Sequence, residues 1–147
     1  MKKKILILLI GCLIYNCSSD GDESSFDLNL LYGQWFEVGL CPSQNNLLLN
    51  TDGAFISFSS RAVDCNDPLP DTLRFTGTYQ INGDFFIANT LSTEVVIDGT
   101  NDSVADFEQI DAITEIIVLT STTFQLSTYI VRENGVRDII SNQQYER

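Results

Sequence analysis

The sequence predicts an all-β protein in which about eight short strands form an antiparallel sheet. Three observations favour this class. Turn residues such as Asn-Gly and Asp-Gly recur along the chain, the segments between them are rich in β-branched and aromatic residues, and no segment keeps an apolar period of 3.6 residues for three turns. Because the strands are joined mainly by short turns, we expect an up-and-down barrel, which removes the exposed edges of an open sheet.

The first 16 residues are predicted to be a signal peptide that precedes this domain. Residues 2–4 are lysines, and residues 5–15 form an uncharged, mostly apolar run of eleven. A membrane-spanning helix needs roughly 20 apolar residues, so the run is short for a span. Cys17 then follows where a cleavage site is expected. This order resembles the signal of bacterial lipoproteins, which implies that Cys17 is lipidated and becomes the first mature residue.

Two alternatives to this anchor stay open. The segment Leu9-Ile10-Gly11-Cys12 fits a lipoprotein cleavage site better by residue type, because Tyr15 is bulky where the other site needs a small residue. Cleavage before Cys12 would, however, leave an apolar run at the lower edge of the roughly 7–15 residues of a signal. The second alternative is a membrane anchor that is not cleaved.

Residues 17–29 are predicted to be the lipidated cysteine and a flexible tether, followed by one domain over residues 30–147. The stretch Ser18–Glu23 resembles the serine-plus-acid export tag of surface lipoproteins in some Gram-negative bacteria, which implies the cell-surface face of the outer membrane. A plain solvated linker is the alternative, since serine, glycine and acids bury little apolar area. The periplasmic face of the outer membrane is the alternative location.

The charge of the mature chain excludes some partners. Removal of residues 1–16 takes all three lysines and leaves five arginines against 20 acids, a formal charge of −15. Nucleic acid needs clustered Lys and Arg, so we expect no nucleic-acid partner. Anionic lipid is disfavoured for the same reason, and the lipid on Cys17 would supply the membrane contact. A high net charge also favours a soluble monomer.

Two cysteines remain beyond the signal, Cys41 and Cys65. In an exported chain, where disulfides persist, an even pair predicts one disulfide bridge. Two buried free thiols are the alternative. A metal site is a weaker alternative, because the chain has no histidine to complete it.

The strands are predicted in order from apolar segments and the turns between them. Residues 73–81 are the clearest, because apolar and polar residues alternate and Asn82-Gly83 supplies a tight hairpin turn. Asn134-Gly135 is a second such turn. Residues 61–71 and the acidic residues 100–106 are expected to be loops. The predicted strands are 34–40, 47–49, 54–60, 73–81, 84–89, 94–97, 107–120 with a bend near 111–112, 124–131 and 136–144.

Three of these segments carry a family resemblance. Leu31-Tyr32-Gly33-Gln34-Trp35 resembles the Gly-x-Trp start of lipocalins. Leu47–Phe55, with its Asn-x-Asp-Gly turn, and Gly77–Gly83, with its Gly-Thr-Tyr start, resemble two hairpins of lipocalin-like domains in bacterial lipoproteins. The resemblance implies a lipocalin-like barrel over residues 30–146. The later lipocalin motifs are not recognisable in this sequence.

The residue content disfavours an enzyme. Histidine is absent and the mature chain has no lysine, which removes histidine-based triads and Schiff-base chemistry. We therefore expect no catalytic residues, no metal and no cofactor. The leading hypothesis is a binder of a small apolar or amphipathic molecule, and the alternative is a structural or protein-interaction module with a filled barrel. The candidate lumen residues, all of which also suit a core, are Trp35, Phe55, Phe75, Tyr79, Phe124 and Leu126.

Overall fold

A computed structural model describes residues 23–60, 65–66, 71–97, 100–103 and 112–147. The predicted signal peptide, Cys17 and residues 18–22 of the predicted tether lie outside these ranges. Parts of the two predicted loops, residues 61–64, 67–70 and 104–106, and residues 107–111 of the predicted seventh strand also lie outside them. Within the described residues, no helix is long and apolar enough to cross a membrane.

The described residues form nine strands in one antiparallel sheet, which confirms the predicted all-β class. A short 3₁₀ helix, Leu28–Leu30, precedes the first strand and begins at the capping side chain of Asp27. The strands are β1 (Gly33–Glu37), β2 (Asn46–Leu49), β3 (Ala54–Ser59), β4 (Thr72–Asn82), β5 (Phe85–Ile97), β6 (Thr100–Ser103), β7 (Ile113–Leu119), β8 (Thr123–Val131) and β9 (Arg137–Glu146).

The sheet closes on itself as an up-and-down, barrel-like fold. Consecutive strands pair with each other, except that β7 pairs with β5 in place of β6 in the described sheet, and β1 pairs with β9 where Phe36 lies opposite Glu146. The ring is completed between β5 and β7, where Phe85 lies opposite Glu115. Eight strands make up this ring, and β6 lies beside β5 as an additional short strand.

The structure differs from the predicted strands in the middle of the chain. Residues 84–89 and 94–97 were expected to be separate strands, but β5 runs through both. A bulge explains this, because Thr76 lies opposite Ser92 and Gly77 opposite Thr90, so that Leu91 is the extra residue. The expected acidic loop at residues 100–106 is also partly a strand, β6, which pairs with the end of β5.

The folded part begins before the expected boundary at residue 30. Phe26 and Leu30 pack against the core. Ser24 and Ser25 form hydrogen bonds with Asp84 in the β4–β5 turn. The last described part of the predicted tether is therefore held on the barrel.

The two ends of the barrel differ, and we name them by the side chains inside. The packed end carries the β2–β3, β4–β5 and β7–β8 turns, the chain before β1 and the residue after β9. The inner face there holds the buried core cluster. The opposite end, which carries the β1–β2 and β3–β4 loops and the β8–β9 turn, is named the hydroxyl end. The inner face at this end carries serine and threonine. We call the part of the lumen next to the packed end the packed half, and the part next to the hydroxyl end the hydroxyl half.

Candidate functional site

The packed half is filled by aromatic rings that contact one another across the lumen. Phe124 lies 5.4 Å from Trp35, 6.4 Å from Phe86 and 5.8 Å from Tyr145, measured between ring centroids. Phe86 stacks on Tyr79 at 5.4 Å. These five rings come from β1, β4, β5, β8 and β9, and the contacts of Phe124 with Trp35 and with Phe86 join strands that are not adjacent in the sheet. Contacts of this kind close the packed half as a solid floor.

Trp35 is held at the centre of this floor. Its indole Nε1–H donates a hydrogen bond to the Leu31 carbonyl at 2.7 Å. The Arg147 guanidinium lies 3.9 Å from the ring centroid on the other side, a cation–π contact. Arg147 also donates to the carbonyls of Leu30, at 2.9 Å, and Tyr32. The indole is therefore satisfied within the protein and has no polar group left for a ligand.

The phenol group of Tyr79 is also occupied. The Tyr79 hydroxyl donates to the Asn50 carbonyl at 2.7 Å. Burial, together with repulsion from Tyr32 and from the Asp52 carboxylate, raises the pKa of Tyr79 to about 12. Burial, assisted by Glu37, also raises the pKa of Tyr145. Both phenols are therefore neutral across the physiological pH range.

The structure places five of the six candidate lumen residues together in the packed half. Trp35, Phe55, Tyr79, Phe124 and Leu126 are all buried members of the core cluster. The sixth, Phe75, is partly exposed and packs against this cluster from the side of the hydroxyl half. Phe75 is therefore the candidate residue that faces both halves of the lumen.

The inner face changes from aromatic to hydroxyl side chains toward the other end of the same strands. Residues paired across an antiparallel sheet point to the same face, so the registers identify the inner positions. Phe75 lies between Ser57 and Thr93, and Thr128 lies between Thr114 and Ser141. The hydroxyls of Thr114 and Thr128 are 3.1 Å apart and share a hydrogen bond. Sequence reasoning missed these residues, because serine and threonine at inner positions look like ordinary solvent-facing residues.

An apolar wall accompanies these hydroxyl groups in the hydroxyl half. Leu73 lies opposite Val95 on the inner face of β4 and β5, next to Phe75 along β4. All three side chains are partly exposed. Ile130, which is also partly exposed, lies opposite Asp138 on the inner face of β8 and β9. The hydroxyl half therefore offers apolar contact and hydrogen-bonding groups within one lumen.

The rim of the hydroxyl end is held by a disulfide and a buried amide. Cys41 in the β1–β2 loop is bonded to Cys65 in the β3–β4 loop with a Cα–Cα distance of 5.3 Å, which confirms the predicted bridge. Asn45, which is fully buried, donates to the Cys41 carbonyl and to the Ser60 hydroxyl, both at 3.2 Å. Its side-chain carbonyl accepts from the Ser60 backbone N–H at 3.0 Å. These bonds join the two rim loops beyond their covalent link.

The charges of the hydroxyl half are acidic inside and basic outside. Two acids lie at inner positions of the sheet: Glu37, which is the last residue of β1, and Asp138, near the start of β9. The arginines of the described residues lie elsewhere. Arg74 pairs with Glu94 at 3.2 Å and Arg137 with Glu115 at 3.1 Å on the outer face, while Arg147 covers Trp35 at the packed end. Arg132, in the β8–β9 turn, pairs with Asp138. The charge of Asp138 is thus balanced by Arg132, and none of the described arginines lies at an inner position of the sheet.

Comparison of the chain with protein-family models, with curated proteins and with solved structures finds no match.

Proposed function

We propose that the protein is a lipid-anchored cell-envelope protein whose barrel binds one small amphipathic molecule without catalysis. The ligand occupies the hydroxyl half, and the packed half is its floor. The division of the lumen carries this proposal. An eight-stranded barrel is just wide enough to be filled by side chains or to hold one small ligand. Aromatic rings fill the packed half, whereas the inward serine and threonine side chains are too small to do the same.

The lining defines the class of ligand. Leu73, Phe75 and Val95 offer an apolar wall for an alkyl or aromatic portion, which is the main component of most small-molecule sites. Ser57, Thr93 and Thr128 offer hydroxyls, which both donate and accept hydrogen bonds. Because none of the described arginines lies at an inner position to pair with an anion, a neutral polar group suits the site better than a carboxylate.

The anchor is the second part of the proposal. A signal peptide over residues 1–16, lipidation of Cys17 and an acidic tether place the barrel at the outer membrane, on the cell-surface side. The lipid is the contact with the membrane, and the barrel itself is monomeric, carries no cofactor and has no nucleic-acid partner. We expect Cys17→Ser to release the protein from the membrane fraction or trap the uncleaved form. If Cys12→Ser does this and Cys17→Ser does not, the assignment of the anchor is wrong.

A matched pair of variants tests the binding site. Ser57 lies on the inner face of β3, and Thr78 lies on the outer face of the neighbouring strand β4. Ser57→Phe puts a ring into the hydroxyl half, whereas Thr78→Phe adds the same ring outside. The probe is a neutral naphthylamine dye, titrated into an unlipidated form of the protein and displaced by unlabelled amphipathic amines and alcohols.

We expect saturable binding that Thr78→Phe leaves unchanged and that Ser57→Phe weakens at least tenfold, a loss of about 1.4 kcal/mol or more. Equal effects of the two variants would place the dye outside the lumen. Absence of saturable binding to the unmodified protein would reject the binding proposal and favour the second candidate below.

The second candidate function is a protein-interaction module, and one observation favours it. Nine of the ten exposed large apolar side chains among the described residues lie on β5, β7, β8, β9 or the β8–β9 turn. Exposed Ile113 and Ile139 lie on either side of Tyr129 on the outer face there, and the Tyr129 ring itself is buried beneath the Arg137 guanidinium, 4.5 Å from the ring centroid. Apolar groups gathered on one side of a monomer are typical of an interaction surface. This candidate predicts that Ile139→Asp, unlike Ser57→Phe, impairs the protein's role in cells.

A further inference from the structure

The chain enters the barrel through a defined contact at the packed end. The Asp84 carboxylate accepts three hydrogen bonds from the end of the tether. The Ser24 hydroxyl and the Ser25 backbone N–H donate to Oδ1 at 3.1 and 2.8 Å, and the Ser25 hydroxyl donates to Oδ2 at 2.8 Å. We name this contact the tether clamp.

The tether clamp is attached to a fixed part of the sheet. Asp84 lies in the β4–β5 turn, and its backbone carbonyl accepts a hydrogen bond from the Ile116 N–H of β7 at 2.7 Å. The next residues continue the attachment, since Phe26 packs against the core. The point at which the tether leaves the barrel is therefore on the packed end, away from the hydroxyl end.

We propose that the packed end faces the membrane and that the hydroxyl half opens to the aqueous side, so that the ligand arrives through water and not from the bilayer. This inference rests on the proposed lipid anchor at Cys17 and on the proposed site in the hydroxyl half. Six residues lie between Cys17 and Ser24, the first residue of the tether clamp, and an extended chain spans at most about 3.6 Å per residue. The clamp at the packed end is thus held within about 25 Å of the lipid attachment point.

The dimensions of the barrel separate the hydroxyl end from the bilayer. A strand of about nine residues is roughly 30 Å long, and with a tilt of about 40° it rises roughly 20 Å along the barrel axis. The aromatic floor lies between the membrane side and the hydroxyl half. A lipid chain therefore has no direct path through the lumen from the bilayer. The ligand class is accordingly a water-borne amphipathic molecule, delivered in solution or by another protein.

Two labelled forms of the full-length lipoprotein test this orientation. Ser121 is exposed in the β7–β8 turn at the packed end, and Glu133 is exposed in the β8–β9 turn at the hydroxyl end. Ser121→Cys or Glu133→Cys supplies one free thiol for a dye, because Cys41 and Cys65 are disulfide-bonded. The labelled protein is placed in phosphatidylethanolamine–phosphatidylglycerol vesicles whose headgroups carry a short-range nitroxide quencher.

We expect the dye at residue 121 to be quenched about twofold or more relative to the dye at residue 133, given the reach of the tether. Equal quenching, stronger quenching at residue 133, or no quenching of either dye on vesicle-bound protein would overturn the orientation. Protein that does not float with vesicles would reject the lipid anchor, and this inference with it. Dye binding in the lumen is measured separately, so its failure is distinguishable from a failure of the orientation.

A second pair of variants tests the tether clamp itself. Asp84→Ala removes the carboxylate that accepts the three hydrogen bonds, whereas Glu23→Ala removes a neighbouring exposed acid and leaves the clamp intact. We expect Asp84→Ala to reduce the difference in quenching between the two dyes and Glu23→Ala to preserve it. An unchanged difference in Asp84→Ala, with a native circular dichroism spectrum, would show that the clamp does not set the orientation.

Discussion

The two halves of the barrel use the same strands for different purposes. Strand β4 carries Tyr79 in the packed half, where the hydroxyl is bonded and the ring is stacked, and Leu73 in the hydroxyl half, where the side chain stays partly exposed. Strand β8 likewise carries Phe124 at one end and Thr128 at the other. The comparison shows that fully packed and partly exposed inner side chains are separated along the same strands, and not between separate domains.

The largest expected effect comes from removing one ring in each half. Phe124 is fully buried, and Phe124→Ala should lower the free energy of unfolding by about 3–5 kcal/mol, because a cavity is left among packed rings. Phe75→Ala removes the same atoms from a partly exposed site and should cost at most about 2 kcal/mol. Urea unfolding followed by the fluorescence of Trp35 measures both. Equal losses would show that the two halves are packed alike.

The next effect concerns the rim of the hydroxyl end. Reduction of the Cys41–Cys65 bridge, which closes a loop with a sequence separation of 24, should lower the stability by about 3 kcal/mol in the chain-entropy model. The fluorescence of Trp35 in the folded, reduced protein should stay native, because the packed half does not contain the bridge. Urea unfolding with and without reductant, using the Cys41→Ser, Cys65→Ser double variant as control, measures this. A changed native spectrum would show that the halves are coupled.

A smaller effect is expected at the packed end from Arg147. Arg147→Ala removes the cation over the Trp35 ring, a contact worth about 0.5–1 kcal/mol at an exposed site. It should also make Trp35 more accessible to quenching by acrylamide. Arg132→Ala is the control, since its exposed pair with Asp138 in the β8–β9 turn is worth about 1 kcal/mol at most and is far from the ring. Unchanged acrylamide quenching in Arg147→Ala would contradict the prediction.

The smallest effect is a response of the tether clamp to acid. Hydrogen bonds from Ser25 and Ser24 lower the pKa of Asp84 below its ordinary value. The stabilisation from a carboxylate of lowered pKa is present above the pKa of the unfolded chain, about 4, and is lost as the pH falls through the folded value. The rate of tether cleavage by pepsin in the unmodified protein, divided by the rate in Asp84→Ala, should therefore be higher at pH 2 than at pH 4. If this ratio of rates is the same at both pH values, the clamp does not depend on the titration of Asp84.

Local patterns predicted much of the fold. The alternation of residues 73–81 indicates one inner face, and the registers place Phe75 and Tyr79 on it. Both hairpins form near the expected glycines, but their turns differ in detail. Asn82 ends β4 opposite Phe85, so the β4–β5 turn is Gly83-Asp84, and the β8–β9 turn spans residues 132–136 around Asn134-Gly135; Gly83 has φ 59° and Gly135 has φ 77°. These features depend on neighbouring residues alone, because side-chain direction alternates along a strand and positive φ favours glycine. The Cys41–Cys65 bridge was predicted from the even number of cysteines beyond the predicted signal peptide.

The site was less predictable, because its residues meet through long-range pairing. Ser57 and Thr93 become lumen residues only when β3, β4 and β5 align, with a bulge at Leu91 that no local pattern indicated. Gly77 permits this alignment, since a Cβ at this position would lie 2.1 Å from the Asn89 carbonyl oxygen. The contact between Arg147 and Trp35 likewise joins residues that are distant in sequence.

The pairing of the first strand with the last has a consequence for biosynthesis. β1 and β9 meet at Phe36 and Glu146, and Arg147 bonds to the carbonyls of Leu30 and Tyr32, so closure needs residues more than 100 positions apart. A chain threaded through a translocation channel N-terminus first cannot close the ring until residue 147 has emerged. Until then, the inner faces of β1–β8 are open to solvent and to other nascent chains. The late arrival of β9 therefore leaves these inner faces as the part of the folding chain that is most open to aggregation.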